Sequence, residues 1–157
     1  MPLAACMMLA ASAANAQAPQ TEHNVSAAMA QEIIAGAIEQ CTKDGYKVSV
    51  TIVDKAGLVA ASLRGDGTNP HTMEFSRMKA YTSRTRGQTT LEFKAATATP
   101  ETDGPRQIPG LVTVGGGVPI KLGNETIGGI GVSGAPGGDK DEVCAKAGLA
   151  EVADNLR

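Results

Sequence analysis

The chain has 157 residues, enough for one domain with one hydrophobic core and too few for two. Hydrophobic residues make up 42%, but aromatics only 3% and there is no Trp, so the core must be built from Ala, Val, Ile, Leu and Met. A formal net charge of −2 excludes the basic bias of a general nucleic-acid binder.

Residues 1–18, MPLAACMMLAASAANAQA, are uncharged, small and apolar, and close on Ala14-Asn15-Ala16 and Ala16-Gln17-Ala18. That is the look of a signal peptide ending in an A-x-A cleavage site, although no Lys or Arg lies near Met1. The expectation is export to the periplasm or beyond, with residues 19–157 forming a single domain. No other stretch approaches the ~20 apolar residues of a transmembrane segment. Cys41 and Cys144 remain in the mature chain, either as a disulfide or as two small buried hydrophobes.

Ser26 is placed to cap a helix whose apolar stripe is Met29, Ile33, Ile34, Ala37, Ile38 and Cys41, and Asp44-Gly45 stops it. Tyr46 to Val53 alternates, with Val48, Val50 and Ile52 on one face, which predicts a half-buried strand. Asp54 to Gly57 is a turn, and Leu58 to Arg64 returns as the second strand of a hairpin. Asn69 and Pro70 open a helix running to about Arg86, with His71, Phe75, Met78 and Thr82 on one face. Residues 87–112 read as irregular, with a short helical turn near 90–95.

Leu111–Val114 and Val118–Lys121 flank the triple glycine 115–117, and Glu125 to Ser133 is a glycine-laced strand. Asp139 and Glu142 resemble a capping box for a last helix over about 140–155, with Ala145, Leu149, Val152 and Leu156 as its stripe. Hairpins dominate this order. It predicts an α+β fold, an antiparallel sheet of about five strands flanked by helices.

Gly129-Ile-Gly131-Val-Ser-Gly134 has the written form G-x-G-x-x-G of a dinucleotide fingerprint. Such a site needs a second parallel strand ending in an acidic residue about 20 positions on. Too few residues follow Gly134 to build both a helix and that strand. Glycine inside a strand instead lets a ligand or another backbone come close. Gly128, Gly129 and Gly131, with Gly115 and Gly116, either wall a flat ligand cavity or admit a tightly packed helix.

Four blocks, "VDKAGLVAASLRGDG", "RMKAYTSRT", "GGGVPI" and "IGGIGVSGAPGGDKDEVCAKAG", together resemble the GlcG/HbpS family of haem-binding proteins, over about residues 24–157. The resemblance implies a profilin- or PAS-like sheet, a compact homo-oligomer, and haem as cofactor, with a capacity to degrade haem suggested for the family. Other members belong to glycolate or diol metabolism.

His71 is the candidate iron ligand, with Phe75 and Met78 as an apolar wall and Met78 or Met73 as a second axial ligand. Arg77, Arg84, Arg86 and Lys94 cluster near Arg64 and Lys79, which lie in the family-like blocks and are the preferred contacts for haem propionates or another small carboxylate. The expected pocket lies between the glycine-bared strand and the second helix. His23, in a polar lead-in, reads as solvated. No catalytic triad and no short metal-ligand spacing can be named. An accessory protein or enzyme acting on a small 2-hydroxy acid, and a homo-oligomer without ligand, are the other readings.

Overall fold

The computed structural model describes residues 18–157, so all but Ala18 of the expected leader falls outside the described residues. The elements run α1 (Ala27–Lys43), β1 (Ser49–Val53), β2 (Val59–Arg64), α2 (Thr72–Arg86), α3 (Thr90–Ala96), β3 (Gly117–Leu122), β4 (Glu125–Ser133) and α4 (Gly138–Ala150). The four strands form one antiparallel sheet in the order β2-β1-β4-β3. Strand β4 pairs antiparallel with both β1 and β3, so the G-x-G-x-x-G does not sit in a parallel βαβ unit of the dinucleotide-binding kind.

The α+β architecture agrees with the sequence, with one strand fewer. The Leu111–Val114 stretch before the triple glycine stays outside the sheet. Leu111 is buried, and the Val112 N–H donates to Thr82 Oγ1 at 2.9 Å, so this segment is bonded to α2 rather than to the sheet. The short helical turn expected near residue 90 is α3, closed by a Thr89/Glu92 capping box. The box expected at Asp139 and Glu142 does not form: α4 begins after Gly137, which has φ +134°, and Glu142 pairs with Lys146 at 2.7 Å.

Three layers result. On one face of the sheet, Val48, Val50, Ile52, Val118, Ile120, Ile130 and Val132 bury against Ile33, Ile34 and Ala37 of α1 and Cys144 and Ala145 of α4. The Cys41–Cys144 disulfide ties those two helices together, with Cα atoms 5.5 Å apart and a sequence separation of 103. Closing a loop of that length stabilises the fold by about 4–5 kcal/mol in chain-entropy terms.

The other face carries Ser49, Thr51, Gly129 and Gly131, and α2 covers it. The alternation in β1 predicted one wet face, but all five residues of β1 are buried. The helix face that covers them is equally polar: Thr72, Ser76, Lys79 and Ser83 are buried with Ala80. Hydroxyls pair across the contact, Ser49 with Thr72 at 2.8 Å and Thr51 with Ser76 at 2.7 Å. Each buried hydroxyl thereby finds a partner that water would otherwise supply.

Glycine makes this approach possible. A methyl at Gly131 would fall on the Ser76 carbonyl and 2.5 Å from the Ala80 amide nitrogen, and one at Gly129 would fall on the Ala80 carbonyl. Replacing Gly131 by Ala therefore forces α2 off the sheet and costs about 3 kcal/mol. Gly104, with no atom within 4 Å of an added Cβ, is the control: Gly104→Ala leaves stability within about 0.5 kcal/mol. Urea unfolding of the two variants checks both values.

Candidate functional site

The space expected between the glycine-bared strand and α2 is filled. Gly129 and Gly131 meet the α2 backbone itself. Gly128 faces the opposite layer, where a Cβ would meet Val25 Cγ2 and the Val53 carbonyl at 2.6 Å. Of the two roles open to these glycines, helix and chain packing is the one their geometry serves.

Gly115 and Gly116 belong to a segment that runs along one flank of α2, from Val112 at Thr82 to Gly116 beside Lys79. Gly116 has φ +112°, and a Cβ there would meet Asp141 Cβ at 2.6 Å and Lys79 Nζ at 3.0 Å. Gly115 is closed in by Gly138 and Leu91.

Lys79 was expected to hold an anion of the ligand, but its partner is a protein carboxylate. The Lys79 side chain is 1% exposed, and its ammonium donates to Asp141 Oδ2 at 2.7 Å and to the Val132 carbonyl at 2.9 Å. It also lies 5.1 Å from the centroid of the Phe75 ring. Asp141 is held in turn by the Ala135 N–H on Oδ1 at 2.9 Å. Burial pushes the Lys79 ammonium below the usual lysine range and the Asp141 carboxyl above the usual carboxylate range, while their mutual attraction opposes both shifts.

Arg64 is elsewhere, at the end of edge strand β2, with Nε and Nη2 donating to the hydroxyl and carbonyl of Thr68. The two expected anion holders therefore do not share a site.

What remains together is the flank itself. His71 caps the start of α2, is exposed, and makes no capping hydrogen bond through its side chain. Phe75 and Met78, one and two turns on, are half-buried. Val114, in the neighbouring 111–116 segment, is 40% exposed. This is an open face with one unengaged imidazole beside apolar side chains. A neutral imidazole is a good iron ligand, and the apolar side chains match a porphyrin face, so the donor set fits a haem.

On the far flank of α2, a 410 Å³ groove lies against β2, lined by Thr51, Val59, Ser62, Pro70, Met73 and Arg77. Arg77 is engaged there by Glu74 at 2.7 Å. Met73 belongs to this groove and not to the His71 flank. His23 is exposed, as its polar surroundings suggested, and its Nδ1 lies 2.9 Å from Glu125 Oε2. Among the described residues, no cluster of three metal-ligating side chains occurs, and no helix is long and apolar enough to cross a membrane.

The buried pairing of Asp141 with Lys79 is what sequence reasoning missed. The D-x-x-E pattern drew attention to Asp139 and Glu142 on either side. Yet Asp141 stands four residues before Ala145, on the apolar stripe of the helix, and an acid on a buried stripe signals a buried partner.

A family model described as haem degrading protein HbpS-like matches residues 25–150. The chain belongs to this HbpS-like family. Protein GlcG of Escherichia coli K12 is 31% identical over 119 residues, covering 73% of this chain and 84% of that protein. Among solved structures, a double mutant of Streptomyces reticuli HbpS superposes with a TM-score of 0.79 at 34% identity, covering 93% of this chain and 97% of that one. Klebsiella pneumoniae protein ORFY has a TM-score of 0.80 and a PduOC:heme complex 0.72, covering 88% and 79% of this chain and 97% and 91% of theirs. Both are 23% identical, a likeness of fold. The resemblance carried by the four sequence blocks is thus established.

The buried ion pair makes a measurable demand. Lys79→Met leaves the Asp141 carboxylate buried without its cation and costs about 3–5 kcal/mol. Adding Asp141→Leu removes the stranded charge and recovers most of that loss. Chemical denaturation of the single and double variants gives the comparison.

Proposed function

We propose that this protein is an exported haem-binding protein, with haem lying on the His71–Phe75–Met78 flank of α2 and His71 as an iron ligand. Membership of the HbpS-like family over residues 25–150 carries the reading. The unengaged His71 beside half-buried Phe75 and Met78 supports its placement. The PduOC relative, whose structure is a haem complex, supports the ligand class. When bound, haem supplies an iron centre whose reactivity is set by its axial ligand and the polarity around it. In this chain, His71 would hold the iron, and Phe75 and Met78 would shield the bound group from water.

Export is supported by the Cys41–Cys144 disulfide, since such bonds persist in oxidising compartments, and by the leader-like composition of residues 1–18. The reading includes a homo-oligomer. Among the described residues, strand β2 pairs only with β1 and is an edge, and Leu58, Val59 and Leu63 at that edge are each more than half exposed.

Titrating haemin into the purified protein tests the reading. A Soret shift saturating near one haem per chain is expected, with His71→Ala weakening binding at least about tenfold, or 1.4 kcal/mol. An unmoved Soret band contradicts haem binding. A shift identical in His71→Ala removes His71 as the ligand.

A further inference from the structure

We propose that the Lys79–Asp141 ion pair is a positioning device for Phe75: it fixes the aromatic wall of the α2 flank from an element on the opposite side of the sheet. The inference rests on the haem reading for its purpose, but its geometry stands apart from it.

The ammonium of Lys79 has three N–H directions. Two are committed, to Asp141 Oδ2 at 2.7 Å and to the Val132 carbonyl at 2.9 Å. With the ammonium so placed, it lies 5.1 Å from the centroid of the Phe75 ring, four residues earlier on the same helix. A fixed cation attracts the face of an aromatic ring, so it selects one ring orientation. Phe75 is only half-buried, so burial alone does not fix its ring.

The fixed point is set from far away. Asp141 lies in the first turn of α4, 62 residues from Lys79 in sequence. It is oriented by the Ala135 N–H, and its helix is bonded to α1 three residues later through Cys144. Gly116 passes over the pair in a left-handed conformation where no side chain fits, so the pair is closed off on that side as well.

Stability alone does not account for the arrangement. Well-packed apolar side chains of similar volume often replace a buried ion pair at little or no loss. An ion pair adds direction, which packing hydrocarbons lack, and the direction here leads to Phe75.

The chain holds two Phe residues, Phe75 and Phe93, so labelling with 4-fluorophenylalanine yields two fluorine resonances, assigned by Phe75→Leu. The parent should show one sharp Phe75 line. In Lys79→Met/Asp141→Leu, that line should broaden or split while the Phe93 line stays put, and haemin affinity should fall about tenfold. Asp141→Asn, which keeps the shape of the carboxylate and removes its charge, should broaden the same line and serves if the double variant does not fold. A single sharp Phe75 line in these variants, or haemin affinity equal to that of the parent, overturns the inference. A parent that leaves the Soret band unmoved overturns the haem reading instead, and the fluorine lines still decide whether the pair positions Phe75.

Discussion

The structure depends on how closely α2 lies on the sheet. Gly129 and Gly131 bring the β4 backbone against the backbone of the helix at Ser76 and Ala80. Around that contact, buried groups are satisfied by one another: Ser49 by Thr72, and Thr51 by Ser76. Such an interface has little apolar area to drive it. It is held by hydrogen bonds that exist only at short range and by the exclusion of side chains that would prevent it. A hydrophobic interface tolerates small shifts, whereas this one fixes α2 in a single register, with the His71–Phe75–Met78 flank turned outward.

The opposite layer is different in kind. Its branched aliphatic residues fill a conventional core against α1 and α4, and the disulfide locks those helices together. The Lys79–Asp141 pair connects the two layers, because α4 supplies the carboxylate and α2 the ammonium. The two helical layers are thus coupled by one buried bond with strict geometry, beside the segment that passes from α3 to β3.

Much of this was legible in the residues. Periodicity located α1, β1 and α4, the turn at Asp54 to Gly57 and the Asn69-Pro70 helix start placed β2 and α2, and β4 was read as a glycine-laced strand. The sheet has four strands where about five were expected, and the place of the 111–114 stretch against α2 rests on the Thr82 hydroxyl, a tertiary contact that no local pattern announces. The glycines of β4 were recognised as room made on a strand. What fills the room depends on which face each glycine presents and on what the rest of the chain puts there. Gly128 receives Val25 and Gly131 receives α2. Lys79 looked like an anion contact because its carboxylate partner lies 62 residues away. For the same reason, helix periodicity alone could not pair Cys41 with Cys144.

The outward flank of α2 is where the account places haem, and its position follows from the inward contact just described. Hydrogen–deuterium exchange with and without haemin reads this directly. Haemin should slow exchange in residues 71–78 and 111–116 and leave the β2 edge, residues 59–64, unchanged. Slowing confined to 59–64 and the groove beside it, with none at 71–78, would contradict that placement.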